Sequence, residues 1–260
     1  MLAKPRLHRL FGPSGRCLNV ALDHGIFGEG SFLPGLAQFQ TALHTVAQAG
    51  PNALQLSPGQ APLLYRQPIH PKPALVLRLD STNAYGSTPG ALFAELVEEG
   101  LEAALRLDAA AVVLNLLWVE GEAHLLRDCL RNIARVKPLT ERYGLPLMLE
   151  PLVLRPGGYE VEGSPERIVP LVRQAVELGA DLIKADFTQP IEAFHQVVEA
   201  AAGRPVLARG GGRVPEELLL ERTRAVLAQG ARGLVYGRNI LQHPNPKGLV
   251  QTLMQMLHPA

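Results

Sequence analysis

The sequence has few cysteines and no long apolar run, and each absence narrows the class of protein. Its two cysteines, Cys17 and Cys129, have neither a CxxC nor a metal-ligand spacing, and we expect both to be buried free thiols in a reducing compartment. No run reaches the roughly 18 apolar residues of a membrane span, and residues 1–10 lack the apolar stretch of a signal peptide. We therefore expect a soluble, cytoplasmic protein with no membrane partner.

The sequence also lacks an excess of charge of either sign. The 25 basic and 24 acidic residues leave a formal net charge of +1, and no basic stripe or arginine-rich arm is present. A nucleic-acid partner is not expected, because it requires such a basic surface. With 47% hydrophobic and 19% charged residues, the 260-residue chain can bury a sizeable core.

The chain alternates short β-rich runs with longer helical patterns. The predicted strands are 17–22, 53–56, 74–79, 110–114, 147–149, 181–184, 205–208 and 233–236, and the predicted helices are 34–49, 89–107, 120–143, 165–178, 191–201 and 215–229. Eight such units without a linker predict a single α/β domain over residues 1–260, a TIM (β/α)₈ barrel. A doubly wound open sheet is the alternative, but its early GxGxxG fingerprint is absent.

Polar residues interrupt or follow these apolar runs, where a barrel places its active site. They are Asp23, His24, Ser57, Arg78, Asp80, Asn115, Glu150, Lys184, Asp186, Arg209 and the turn Gly237, Arg238 and Asn239. Lys184 directly follows Leu182 and Ile183 in an apolar run. A desolvated lysine has a lowered pKa and can attack a carbonyl to form an iminium ion. A lysine in this apolar run would be equally well explained by an interior ion pair with Glu150, Asp23 or Asp186, or by a phosphate contact.

The other four lysines are predicted to be solvated. Lys4 lies near the terminus, Lys72 between prolines, Lys137 on a charged helix, and Lys247 at the start of the last helix. Exposed lysine is the ordinary case at such positions. Lys184 is therefore the candidate nucleophile.

Two glycine-containing segments follow the seventh and eighth predicted strands. Arg209, Gly210 and Gly211 belong to the first, and Gly237 and Arg238 to the second. Loops at these places commonly bind phosphate in barrels, because glycines let backbone N–H groups approach the oxygens and arginine adds charge. The alternative is that the glycines serve only the turns.

Metal and hydrolase chemistry have weaker signals. His24 adjoins Asp23, but the other histidines fall in helical patterns, in loops or near the termini. We therefore expect His24 to have a structural or substrate-contact role and no metal to be bound. The GxSxG signature of serine hydrolases is absent.

Four ordered segments resemble one known family. They are Val-Ala-Leu-Asp-His-Gly at 20–25, Gly-Ala-Asp-Leu-Ile-Lys at 179–184, Ala-Arg-Gly-Gly-Gly at 208–212 and the segment 230–240. Together they resemble the DeoC/LacD/archaeal-type class I fructose-bisphosphate aldolase family over about residues 17–243. The resemblance implies a TIM barrel in which Lys184 forms the Schiff base and Asp23 lies beside it as a proton-transfer partner. It further implies phosphate binding around Gly210–Gly211 and Gly237–Arg238, a homo-oligomer, and no metal or other cofactor.

The chain departs from the archaeal fructose-bisphosphate aldolases at the fifth strand. Those proteins carry a general acid/base tyrosine there, whereas residues 149–152 are Leu-Glu-Pro-Leu. Glu150 is reminiscent of the tagatose-bisphosphate aldolase branch, and with a pKa raised by its apolar strand it could transfer the proton. The alternative is that Glu150 pairs with Lys184 or an arginine. Arg209 also stands where a small residue is common.

These features predict a Schiff-base aldolase for a phosphorylated ketose or related keto compound, such as fructose 1,6-bisphosphate. Lys184 would form the iminium, with Glu150 and Asp23 transferring protons. Three alternatives remain: transaldolase-like or thiolase-like chemistry on the same lysine, a non-covalent isomerase, and a degenerate barrel that only binds a ligand.

Overall fold

The structure is a computed structural model that describes residues 4–86, 90–98, 100–156 and 161–259. Its strands are β1 Cys17–Ala21, β2 Ala53–Leu56, β3 Ala74–Arg78, β4 Asp80–Thr82, β5 Ala94–Leu96, β6 Ala111–Val119, β7 Leu147–Leu154, β8 Leu182–Asp186, β9 Val206–Arg209 and β10 Gly233–Tyr236. Its α-helices are α1 Phe39–Gln48, α2 Pro62–Tyr65, α3 Gly100–Arg106, α4 Ala123–Arg142, α5 Pro165–Glu177, α6 Phe194–Ala200, α7 Glu216–Ala228, α8 Arg238–Leu241 and α9 Pro246–Leu257. Short 3₁₀ helices cover Pro5–Leu10, His24–Phe27, Gly30–Phe32 and Ile191–Ala193.

Eight strands close into a parallel barrel, which confirms the predicted TIM fold. Around the barrel the order is β1, β10, β9, β8, β7, β6, β3 and β2. Parallel strands require crossover connections, and the long helices α4, α5 and α7 provide three of them. All eight strands therefore end at the same rim of the barrel, where their terminal side chains meet.

One predicted helix is wrong in part. Residues 94–96, within the predicted helix 89–107, form β5 and pair antiparallel with β4. The helix is α3 alone, and residues 89 and 99 lie outside the described part of the chain. The hairpin is favoured by side chains that bond to its backbone: Thr82 Oγ1 donates to the carbonyl of Phe93, and Asn83 accepts from the Phe93 N–H. These contacts override the helical propensity of the segment.

Two apolar layers surround the strands. Alternate strand residues, including Cys17, Ala53, Val113 and Leu207, pack together inside the barrel. The residues between them pack outward against the helices. This alternation places Lys184 on the same face as the inward Leu182, two positions earlier, and so directs it into the barrel.

The N-terminal 3₁₀ helix covers the opposite end of the barrel. Leu10 is fully buried against the inner layer, and Lys4 Nζ lies 2.7 Å from both Asp181 Oδ2 and Glu141 Oε1. The prediction that Lys4 is solvated was wrong, since only 7% of it is exposed. The paired carboxylates offset the cost of burying its charge. Within the described residues, no helix is long and apolar enough to cross a membrane.

Candidate active site

Charged side chains converge at the C-terminal rim of the barrel. Lys184 Nζ lies 3.0 Å from Glu150 Oε1, and the two side chains are 6% and 2% exposed. Burial lowers the pKa of Lys184 and nearby Arg78 lowers it further, while Glu150 and Asp23 act in the opposite direction; the net shift is downward. A lowered pKa increases the fraction of neutral amine near neutral pH, which is the nucleophilic form.

Glu150 is an ionised carboxylate held by three cations. Its Oε1 lies 3.0 Å from both Lys184 Nζ and Arg209 Nε, and its Oε2 lies 2.5 Å from Arg78 Nη2. Burial alone would raise the pKa of Glu150, but the three positive charges outweigh it and hold the pKa well below the usual value. The prediction of a raised pKa was wrong, and the alternative of pairing with Lys184 and arginine is what the structure contains.

Asp23 follows β1 and lines the same small pocket as Lys184. Its Oδ2 accepts from Gln55 Nε2 at 2.7 Å and from Arg78 Nε at 2.9 Å. Burial raises the pKa of Asp23, but the charges of Arg78 and Lys184 lower it by more, so the carboxylate stays ionised. Two carboxylates therefore adjoin the lysine pocket.

Arg78 was among the polar residues expected at the strand ends, but the sequence predicted no catalytic or binding role for it. Its guanidinium is completely enclosed and bonds three carboxylates, those of Asp23, Asp80 and Glu150. The apolar surroundings of β3 were the available signal. Two of the three partners could not be foreseen, because Asp23 and Glu150 are 55 and 72 residues away along the chain.

Asp80 holds the far side of Arg78. Its Oδ2 accepts the backbone N–H of Asn115 at 2.7 Å, and its Oδ1 accepts Asn115 Nδ2 and Arg78 Nη1, each at 3.2 Å. Burial raises the pKa of Asp80 to about 6, against the opposing effect of Arg78. The Tyr85 hydroxyl in turn donates to Asn115 Oδ1 at 2.9 Å.

His24 is an uncharged packing residue at neutral pH. Burial lowers its pKa to about 4, and its ring lies edge-on to Phe32 with centroids 5.7 Å apart. A Cβ on Gly237 would lie 2.2 Å from His24 Cε1, so only glycine leaves room for the ring. Among the described residues, His24 Nδ1 has no hydrogen-bond partner. A neutral imidazole at the pocket wall fits the predicted structural or substrate-contact role.

The two predicted phosphate loops lie against each other. Asn239 Nδ2 donates to the carbonyls of Gly210 and Gly212, and Arg238 Nη2 donates to the carbonyl of Gly211 at 3.0 Å. Gly211 has a φ of +61°, which favours glycine. The Gly210 N–H is already bonded to the carbonyl of Val235. Gly211, Gly237 and Arg238 thus remain the better phosphate candidates.

Arg209 forms ion pairs with two carboxylates. Besides Glu150 it contacts Asp186, with Nη1 2.9 Å from Oδ1. Burial raises the pKa of Asp186, and Arg209 opposes that shift. The predicted role of Arg209 in binding phosphate would require it to share or exchange these partners.

Three aromatic rings line the same small pocket as the lysine. Phe27 and Tyr85 have centroids 4.6 Å apart, and Phe32 lies 5.8 Å from Tyr85. The pocket they enclose with Lys184 is about 30 Å³. A cleft of about 750 Å³ lies beside it, lined by Asp186, Gly210 and Gly211 among others. Arg209 lines the lysine pocket and its ion-pair partner Asp186 lines the large cleft.

A closed parallel barrel with a buried lysine among ionised carboxylates at its C-terminal rim defines a TIM-barrel enzyme. Residues 17–243 match the profile described as DeoC/LacD family aldolase. The chain therefore belongs to the DeoC/LacD aldolase family, and the resemblance found in the sequence is confirmed. As a member of this family it is an enzyme of the lyase type.

Individual relatives agree with this assignment. An uncharacterised aldolase of Saccharolobus solfataricus is 30% identical, with the alignment covering 97% of this chain and 93% of that protein. The 3-hydroxy-5-phosphonooxypentane-2,4-dione thiolase of Klebsiella pneumoniae is 29% identical over 97% of this chain and 80% of its own length. A solved Schiff-base-forming fructose-1,6-bisphosphate aldolase superposes with a TM-score of 0.81 at 28% identity, covering 98% and 99% of the two chains.

Proposed function

We propose that the protein is a class I aldolase in which Lys184 forms a Schiff base with a phosphorylated keto compound, such as fructose 1,6-bisphosphate. One observation supports this above all: a buried amine with a lowered pKa lies 3.0 Å from an ionised carboxylate in the catalytic end of a barrel. Membership of an aldolase family supports the assignment of Schiff-base chemistry to that amine.

The reaction begins when the neutral Lys184 Nζ adds to the substrate carbonyl carbon. The new C–N bond leaves a hydroxyl group, which departs as water and yields an iminium ion. A base then removes the proton of the substrate hydroxyl, the C–C bond breaks to release an aldehyde, and its electrons enter the iminium as an enamine. Protonation of the enamine carbon and addition of water release the second product and restore the amine.

Glu150 and Asp23 are the proposed proton partners. Glu150 lies 3.0 Å from Nζ, where it can accept and return a proton transiently during the reaction, while Asp23 follows β1 and lines the same pocket. Because both carboxylates are ionised, they can also stabilise the positive iminium. No cofactor beyond the lysine is needed in this scheme.

The phosphate is assigned to the backbone of Gly211 and Gly237 with the guanidinium of Arg238. These residues lie on adjoining loops after β9 and β10, and the Arg238 side chain already reaches Gly211. We further propose a cytoplasmic homo-oligomer, as the family resemblance implies. Light scattering coupled to size-exclusion chromatography would measure the subunit number.

Borohydride trapping tests the proposal directly. The enzyme is incubated with fructose 1,6-bisphosphate, dihydroxyacetone phosphate or other sugar phosphates, reduced, digested and mapped by mass spectrometry. An adduct on Lys184 that is absent from Lys184→Met and present in Lys247→Met is expected, since Lys247 is exposed. Turnover without an adduct would assign the protein to non-covalent isomerases. Neither adduct nor turnover with any substrate would leave a ligand-binding barrel.

A thiolase-like reaction on the same amine is the second candidate. It is favoured by the Klebsiella pneumoniae relative and by the absence of tyrosine from residues 149–152. Supplying 3-hydroxy-5-phosphonooxypentane-2,4-dione with and without a thiol acceptor discriminates the two. Acyl transfer that depends on the thiol, together with no retro-aldol turnover, would favour this reading.

A further inference from the structure

Arg78 occupies a position that the proposed reaction leaves unexplained. Its guanidinium is 1% exposed, and each of its three nitrogens lies against a different carboxylate: Nε 2.9 Å from Asp23, Nη1 3.2 Å from Asp80 and Nη2 2.5 Å from Glu150. Two of these carboxylates, Asp23 and Glu150, adjoin the lysine pocket. Arg78 therefore connects the two proposed proton partners of Lys184.

The charge balance around the lysine depends on this arginine. Asp23 and Glu150 both favour the protonated form of Lys184, whereas Arg78 favours the neutral form. Without Arg78, two buried carboxylates would face the lysine with only Arg209 to offset Glu150. Such a pair of carboxylates would hold the proton on the Lys184 ammonium group and lower the fraction of the neutral, nucleophilic amine.

The geometry requires an arginine and not merely a cation. A guanidinium presents donors in a fixed plane and stays charged at every accessible pH. Lysine offers one compact charge at the end of a flexible chain and cannot span three carboxylates. The plane is held on its far side by Asp80, which Asn115 fixes through two hydrogen bonds, and it lies 5.5 Å from the Phe27 ring centre.

We propose that Arg78 is a positioning residue that holds Asp23 and Glu150 ionised and in place, and thereby keeps the Lys184 amine reactive near neutral pH. The proposal rests on the assignment of Lys184 as the Schiff-base lysine. Arg78 acts through those two carboxylates, since no part of the reaction takes place on its own side chain.

Titration of Lys184 provides a readout that does not depend on turnover. The chain has five lysines, so selective ¹³C labelling gives five Cε signals, and Lys184→Met identifies the relevant one. In the wild type we expect this signal to titrate below the usual lysine range. In Arg78→Met it should move upward by about one pH unit or more, because a nearby cation has been removed.

Arg78→Lys separates charge from geometry. This variant keeps a positive charge but loses the three-way contact, so kcat should fall at least tenfold. Its KM and the pH midpoint of the Lys184 titration should change much less than in Arg78→Met. Arg204→Lys is the control, since Arg204 Nε bonds the carbonyl of Ala180 away from the site. Circular dichroism establishes that each variant is folded.

The outcomes are decisive. A folded Arg78→Met with an unchanged Lys184 midpoint, or Arg78→Lys with wild-type kcat, overturns the role of Arg78. If Arg78→Met does not fold, the kcat of Arg78→Lys decides alone. Absence of any borohydride adduct in the wild type refutes the Schiff base instead, and the lysine titration still reports separately on Arg78.

Discussion

At the scale of single residues, the site depends on glycines as much as on charges. Gly237 has no side chain because the His24 imidazole fills that space, with Cε1 2.2 Å and Nε2 2.7 Å from where a Cβ would lie. The same missing Cβ would also lie 2.9 Å from the carbonyl oxygen of Ala21. One backbone position thus supports both the wall of the lysine pocket and the proposed phosphate loop.

Gly237→Ala should therefore displace His24 and disturb the phosphate loop together. We expect a loss of about 1–3 kcal/mol in the free energy of unfolding, from overpacking, and a raised KM for a phosphorylated substrate. Urea unfolding and steady-state kinetics measure the two effects. Gly212→Ala is the matched control, because nothing lies within 4 Å of its Cβ. Equal behaviour of the two variants would contradict the packing argument.

His24 also gives the protein a defined response to acid. Burial lowers its pKa from 6.5 to about 4 in the folded state, so between these values the unfolded chain takes up a proton that the folded protein does not. The free energy of unfolding therefore falls as pH decreases. From pH 7 to 5 this single group should remove about 2 kcal/mol.

The difference between wild type and His24→Gln isolates this contribution. Asp80 acts in the opposite direction, because its pKa is raised to about 6 and its protonation favours the folded state, but it is present in both proteins. Urea unfolding at pH 7 and pH 5 should show the wild type losing more stability than His24→Gln. A parallel pH response in the two would mean that the folded protein accepts a proton on His24.

At the scale of elements, the periodic pattern predicted all eight barrel strands. Its error lies where the chain makes a hairpin, since β5 acquires its conformation from β4 and not from its own helical pattern. Strands β6 and β7 extend beyond their predicted ends at 114 and 149, because they pair with each other as far as Val119 and Leu154. Such pairing is a tertiary property that a local pattern does not contain.

The site was predicted mainly by type of residue, and the only pairing anticipated among those that form was that of Glu150 with Lys184 or an arginine. Lys184 and Glu150 could be identified because each interrupts or ends an apolar strand. The same signal marked Arg78, but an arginine suggests no nucleophilic chemistry. Its role follows only from the meeting of β3 with β7 and the segment after β1, which brings three carboxylates to one guanidinium.

The N-terminal 3₁₀ helix should stabilise the barrel without affecting the chemistry. Leu10→Ala removes a fully buried side chain from the inner layer and should cost about 2–5 kcal/mol of unfolding free energy. Because this helix lies at the end opposite Lys184, the borohydride adduct should form as in the wild type at temperatures where the variant is folded. His8→Ala, on the exposed side of the same helix, is the control. Loss of the adduct in folded Leu10→Ala would contradict this separation.

At the scale of the whole molecule, the two apolar layers share their strands. Strand β6, for example, contributes Val113 to the inner layer and Leu114 and Leu116 to the outer layer. Neither layer can be lost while the other keeps its packing, because both depend on the same closed ring of hydrogen-bonded strands. The barrel should therefore unfold as one unit.

The two cysteines report on the two layers separately. Cys17 lies in the inner layer and Cys129 in the outer one. Burial raises the pKa of both thiols, that of Cys129 to about 12, so neither should react with a thiol reagent in the folded protein. Cys17→Ala and Cys129→Ala each leave one thiol to follow. We expect that, in each variant, thiol labelling and circular dichroism show the same urea midpoint. Labelling of Cys129 at a lower urea concentration than loss of the strands would show that the helices detach first.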